Sequence, residues 1–479
     1  MSRHDTAARP EISMTSFDAF ASLEQISQGL ASGKLTSQAL VRARLDRIER
    51  FDPVLHAYID VYADGAMAAA QAADQLRAGG IVLGPLHGIT VAIKDLFDIA
   101  GKPVTWGTKS QSPRVSEQTA TVVRRLQAAG AIVLGKTHTV EFASGGWGTN
   151  TSFGTPRNPW DMQTHRVPGG SSSGSGVAVA AGLACAAIGT DTGGSVRIPA
   201  SLCGLVGLKT TLGLVSRDGV MPLSHSLDSV GPMTRTVTDA VLMLDAIAGP
   251  DAGDPSSRNA PVRSVLPTIH GGANGMRIWA LPDEERDGVE NRVLDAYDAA
   301  LEAMEALGAR VVRARLPRSS ADYMRITGEL MSAEGYANFG AICEREDLTV
   351  DPGVRQRVML GREISAAQYI GLLRAREQAK AEMLAAMDGV DVLMLPTTPL
   401  SAIPVAEVDQ GPTPMARFNR LANLLDLCSV AVPAGFTPAG LPLSVQFVGR
   451  GWDEPMILRA AYAYEQATRW YERRPEGLD

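Results

Sequence analysis

Three serines stand in a row, Ser171 to Ser173, inside GGSSSGSGVAVAAG, which begins at Gly169. A further serine, Ser195, closes the glycine turn of GTDTGGSVRIPAS, which begins at Gly189. A hydroxyl is a weak nucleophile until a base takes its proton, so a reactive serine implies a partner. None of the seven histidines (His4, His56, His87, His138, His165, His225 and His270) lies in a stretch that marks it as that base. Lys94 is different. It interrupts the apolar run ITVAIKDLF, and a period of two puts it on the face of Thr90 and Ala92. A lysine drawn into a low-dielectric site has a lowered pKa and serves as a base when neutral. Taken by itself, Lys94 reads more simply as a strand-end lysine reaching water.

The choice among the serines turns on local context. Gly170 to Gly174 spells G-x-S-x-G, which would make Ser172 a nucleophile on a strand-to-helix elbow. The preceding residues, NPWDMQTHRVPGG, read as loop, so half of that context is missing. A phosphate-cradling loop fails because no GK[ST] ending follows. In the second segment, CAAIGTD reads as a buried strand that ends in a turn of Thr192, Gly193 and Gly194. Glycines let backbone N–H groups approach a ligand closely, and successive N–H groups form an anion-binding nest. Beside a nucleophile, such a nest is an oxyanion hole. Ser195 stands at its end. A tight glycine turn with a capping serine explains this segment equally well.

The surrounding elements suit a buried site. The chain has 479 residues, 45 % apolar and 20 % charged, which is ordinary for a protein with a large core. A net charge of −7 without a long basic run argues against a nucleic-acid partner. MSRHDTAARPEISMTSF lacks the apolar stretch of a signal peptide. The longest apolar run, Val177 to Gly189, has 13 residues and is too short to span a bilayer. Cys185, Cys203, Cys343 and Cys428 show no CxxC spacing and read as buried free thiols. A cytoplasmic protein fits these features. The first 80 residues read as helices, with Thr36 or Ser37 capping the second. From Gly84 to about 250, strand, helix and strand follow with short connections, the pattern of a parallel sheet covered by helices. Residues 250–275 read as a surface connection, about 320–387 as a helical insertion, and 391–479 as strands and a closing helix. Strands near both ends suggest one α/β domain over residues 1–479.

PLHGITVAIKDLFD, PGGSSSGSGVAVAAG and GTDTGGSVRIPASLCGLVGLKTT together resemble the amidase signature family in order and spacing. AIVLGKTHTVEFASGGWGTNTSFGTPRNPWD and LPLSVQFVGR extend the resemblance over essentially the whole chain. It implies a large mixed β-sheet covered on both sides by helices, and a hydrolase of carbon–nitrogen bonds in linear amides. It also implies a Ser-cisSer-Lys triad, with Ser195 as nucleophile, Ser171 as relay after a cis bond from Gly170, and Lys94 as base. The 24-residue gap between the two serines fits that pattern. By the same resemblance, the N–H groups of Thr192, Gly193, Gly194 and Ser195 hold the oxyanion. Ser172, Asp191 and Arg197 brace the site. Ser144, Gly145, Gly146 and Trp147 meet the acyl side, where Trp147 is either an aromatic wall or plain packing. No metal or cofactor is implied. The expected partner is a small-molecule amide or carbamate, not a nucleic acid or a membrane, with a homodimer left open.

The leading substrate expectation is an aryl amide, with aryl carbamates (urethanes) and esters beside it. One alternative is an allophanate- or urea-type amide, which should need several arginines around the pocket. Sequence alone does not put Arg217, Arg374, Arg376 or Arg417 there. Another is the glutaminase-like subunit of a tRNA-dependent amidotransferase. Gly/Ser stretches of those subunits read more like GSTGGSAAA, and NRLANLLDLCSVAVPAGF looks more like stand-alone amidases. A non-enzymatic binding protein on a decayed scaffold would have lost Lys94, Ser171 or Ser195, and all three are present.

Overall fold

The computed structural model describes residues 18–411 and 413–478. The signal-peptide reading of residues 1–17, and His4, lie outside the described residues. Helix α1 (Leu23–Ala31) opens on a capping box between Ser22 and Gln25, and α2 (Ser37–Leu55) on Thr36, which accepts from the Ala39 N–H. Between α2 and α3 (Ala63–Ala78) runs a strand, β1 (Tyr58–Val61), where the sequence had suggested helices alone. The strand is short, and its partner β5 is distant in sequence; it forms because antiparallel pairing with β5 satisfies its backbone groups.

The catalytic-looking segments follow. They are β2 (Thr90–Lys94), a small ribbon of β3 (Pro103–Val104) and β4 (Arg114–Val115), α4 (Thr121–Ala128) and β5 (Ile132–Thr137). Next come α5 (Ser173–Ala180), β6 (Ala186–Asp191), α6 (Arg197–Cys203), β7 (Val206–Lys209), β8 (Ser229–Thr234) and α7 (Val237–Ile247). The second half holds β9 (Arg277–Ala280), α8 (Asn291–Ala306), β10 (Arg310–Arg313), α9 (Ser320–Cys343), α10 (Pro352–Met359) and α11 (Ala366–Ala386). It closes with β11 (Val392–Pro396), α12 (Arg420–Leu424), β12 (Cys428–Phe436), β13 (Pro442–Gly449) and α13 (Glu454–Thr468).

Eleven strands form one mixed sheet in the order β1-β5-β2-β6-β8-β7-β12-β13-β11-β9-β10. Parallel pairs flank β2 on one side of the sheet and β9 on the other. The strands between them are antiparallel. Alternation along β2 splits its side chains between the two faces. Val91 and Ile93 enter the core under α4, α7 and α13, whereas Ala92 packs with α5 and α6. All four cysteines are buried and unpaired. Among the described residues, no helix is long and apolar enough to cross a membrane.

The small residues of α5 have a steric reason. The helix is buried along its whole length, pressed between the sheet and the α2–β1 connection. A Cβ on Gly174 would lie 2.2 Å from the Ala57 carbonyl oxygen and 2.4 Å from the His138 nitrogen. Only a glycine lets the backbones approach so closely. Just past β2, Asp95 meets Lys136 of β5 at 3.1 Å, with both side chains 1 % exposed. Removing one member of such a pair strands a buried charge. Lys136→Met is therefore expected to cost about 3–5 kcal/mol, read as a lowered midpoint of chemical unfolding, and a second change, Asp95→Asn, to recover most of it.

Candidate active site

β6 ends on Asp191, and the chain then turns through Thr192, Gly193, Gly194 and Ser195 into α6. The turn is held from beneath by the Asp191 carboxylate. Its Oδ1 accepts from the Gly194 N–H (2.8 Å), and its Oδ2 from the Val196 N–H (3.1 Å). Arg197 donates to both oxygens, Nη2 to Oδ1 (3.0 Å) and Nε to Oδ2 (3.1 Å). Burial opposes ionisation of Asp191, but Arg197, Lys209 and the backbone donors hold it well below the usual carboxylate range. Gly194 has φ +120°, and a Cβ there would lie 2.7 Å from Asn419 Cβ, so this turn requires glycine. Since the Gly194 N–H is committed to Asp191, the donors left for a ligand in this turn are the amides of Thr192, Gly193 and Ser195. This corrects the expectation of four.

The Gly/Ser segment reaches the same place from another direction. The Gly170–Ser171 peptide bond is cis. The Ser171 carbonyl accepts from Val140 N–H (3.0 Å) and Thr139 Oγ1 (3.1 Å). The Ser172 N–H donates to the Ser195 carbonyl (3.3 Å), and Ser172 Oγ to the Thr190 carbonyl (3.3 Å). Ser172 is thus pinned to β6, and no strand precedes it, so the elbow lacks its strand in space as in sequence.

Lys94 is fully buried, which overturns the simpler reading of a strand-end lysine reaching water. Its Nζ lies 2.8 Å from both Ser171 Oγ and Thr190 Oγ1. Burial lowers its pKa to about 7, against the opposing pull of Asp228 and Asp191. Asp228 accepts from Thr192 Oγ1 (2.5 Å) and from the Leu223 and Ser224 N–H groups. Ser171 and Lys94 are sealed from solvent, while Ser195 keeps 8 % exposure. Of the two serines in the expected relay, a solute can reach the one at the end of the turn.

A cavity of about 770 Å³ opens beside that turn. A Cβ on Gly193 would lie 3.3 Å from Arg420 Cγ and from Met331 Cε, and both residues line the cavity. Helices α9, α10 and α11 supply most of its wall. Of the residues expected on the acyl side, Ser144 lines it. Gly145 and Gly146 do not; a Cβ on Gly145 would lie 3.2 Å from Arg357 Nη2, and one on Gly146 would meet Ile198 and Met415. Trp147 packs among Val167, Ile198, Leu202 and Met415, and its indole donates to the Asp409 carbonyl (3.0 Å). It is packing and not a cavity wall. None of Arg217, Arg374, Arg376 and Arg417 lines this cavity; Arg325, Arg357 and Arg420 do.

Several residues of the site carried no sequence motif. Thr190 holds the second contact of Lys94. Asn423 donates to Asp191 Oδ1 (3.0 Å), and Gln446 accepts from Arg197 Nη1 (2.9 Å). Gln446 had a usable signal, since it interrupts an apolar strand as Lys94 does.

Comparison with known proteins agrees along nearly the full length. Residues 39–458 match the family described as Amidase. The chain is 38 % identical to the amidase-type subunit of glutamyl-tRNA(Gln) amidotransferase from Geobacter metallireducens, covering 94 % of this chain and 98 % of that one. Native peptide amidase from Stenotrophomonas maltophilia superposes with a TM-score of 0.82 at 32 % identity, over 98 % of this chain and all of the other. A bacterial aryl acylamidase of the amidase signature family gives 0.85 at 25 % identity, over 95 % and 98 %.

The site makes one prediction that needs no substrate. The ε-carbon resonance of Lys94, assigned by its loss in Lys94→Met, should titrate near pH 7, neutral above and charged below. A midpoint near the ordinary lysine value of about 10.4 would mean that burial does not set its charge.

Proposed function

Because the chain belongs to the amidase signature family and is a hydrolase of carbon–nitrogen bonds, we propose that it cleaves small linear amides through an acyl-enzyme on Ser195. The observation that carries this reading is a buried lysine with pKa near 7, 2.8 Å from the serine that leads into the Ser195 turn. Neutral Lys94 takes the Ser171 proton while Ser171 takes that of Ser195. Ser195 Oγ attacks the carbonyl carbon, and the amides of Thr192, Gly193 and Ser195 receive the oxyanion. The relay returns the proton to the departing nitrogen as the C–N bond breaks. Water, deprotonated through the same serines, then hydrolyses the ester. Asp191 and Asp228 favour the transient charge on Lys94. Ser172, Asp191 and Arg197 act as positioning residues.

For the substrate, the amidotransferase relative supports a glutaminase-like reading better than the aryl-amide reading is supported. Likeness to an aryl acylamidase favours aryl amides, but no aromatic side chain among the described residues lines the cavity. Its polar wall suits a small polar amide. The arginines that an allophanate-type substrate should need are present as Arg357 and Arg420.

The test is hydrolysis of p-nitroacetanilide, an aryl carbamate, a short aliphatic amide, glutamine and allophanate by wild type and by Ser195→Ala. Loss of the triad serine is expected to lower kcat by at least about 10³-fold, and a fluorophosphonate should label wild type alone. A variant that keeps its activity would reopen the reading centred on Ser172. Activity on glutamine alone would point to partner subunits. With Lys94 acting as a neutral base, kcat/KM is expected to fall about tenfold per unit below pH 7 and to level off above it.

A further inference from the structure

Arg420 and Arg357 enter the cavity without acidic partners. Arg420, the first residue of α12, donates Nη1 to the Met324 carbonyl (2.8 Å) and Nη2 to Thr413 Oγ1 (3.1 Å). Its Nε is buried with no acceptor among the described residues. Arg357 donates to Ser144 Oγ (3.3 Å), the Ser144 carbonyl and the Gln410 carbonyl (2.9 Å). Among the described residues, neither forms an ion pair. Burial and the neighbouring Arg357 charge lower Arg420 to about 10. Asp351, the acid that most affects Arg357, caps α10 instead, accepting from the Gly353 and Val354 N–H groups. The carboxylates on the cavity wall are Glu329, paired with Arg325 at 3.3 Å, and Glu363, which is exposed.

Buried charges are normally paired, and guanidinium presents its donors in a fork that matches a carboxylate. The Arg420 side chain also runs beside Gly193 in the proposed oxyanion turn. We propose that Arg420, assisted by Arg357, binds an anionic group of the substrate, so that the enzyme acts on amide-acids such as the monoamide of a short dicarboxylic acid. A substrate ammonium has no inner carboxylate to meet, since both wall acids sit towards solvent. The class is therefore an anion and not a zwitterion. This deepens the amidase reading and rests on it for the hydrolytic step alone.

The experiment compares kcat/KM for glutaramate, valeramide and L-glutamine in wild type, Arg420→Met and Arg420→Lys. Wild type is expected to prefer glutaramate over neutral valeramide by about 10–100-fold, the range of a hydrogen bond to a charged group. Arg420→Met should lose most of that preference, chiefly through KM, and Arg420→Lys should keep part of it. Equal rates on glutaramate and valeramide, or an unchanged preference in Arg420→Met, would overturn the proposal. So would a preference for glutamine over glutaramate. Calorimetry with glutarate on Ser195→Ala, with and without Arg420→Met, separates the two readings. Glutarate binding that depends on Arg420, in a protein that hydrolyses none of the amides, would sink the amidase reading and keep this one. Absence of glutarate binding to Ser195→Ala would sink this one even if neutral amides are cleaved.

Discussion

The Asp191 carboxylate is the point on which the site hangs. Three donors converge on Oδ1, from Gly194, Arg197 and Asn423. Oδ2 receives the Val196 and Arg197 amides and Arg197 Nε. These bonds join β6, the glycine turn, α6 and α12 in a fully buried cluster. A carboxylate so surrounded stays ionised, and an ionised carboxylate fixes the N–H groups that point at it. The geometry of the turn is thereby set before any ligand arrives, which is the condition for electrostatic stabilisation of a developing charge.

The same burial works in the opposite sense on Lys94. No acid touches it; its contacts are two hydroxyls, and Asp191 and Asp228 act only at a distance. Removing water from an ammonium without giving it a carboxylate favours the neutral amine. Lys136, on the neighbouring strand and equally buried, has its carboxylate in Asp95. Two buried lysines at the ends of adjacent parallel strands are thus in opposite situations, and only the unpaired one is suited to take up a proton.

The cavity is assembled from elements far from that turn in sequence. Helices α9, α10 and α11 wall it, and Arg420 of α12 joins it to Gly193. The turn is held by buried hydrogen bonds, whereas the wall is a packing of helices with exposed charges at its rim, among them Arg325 and Glu329. Reaction geometry and substrate choice therefore rest on different parts of the fold.

Much of this was legible in local pattern. β2, β5, β6, β12 and β13 announce themselves as apolar runs bounded by turn residues, and α13 by its helical period. Lys94, Ser171 and Ser195 could be picked out because each breaks a pattern or sits where glycine permits unusual backbone. β1 was not legible, since four residues beside two helices carry no signal until β5 pairs with them. Trp147 could be read either as a wall or as packing, and only the position of α6 and the 402–416 segment decides for packing. Arg357 and Arg420 look like any helix arginine in the chain. What sequence alone determined was the chemistry that local residue types and spacing permit. Tertiary structure alone decided which charges lie without partners, because desolvation and pairing depend on contacts between segments hundreds of residues apart.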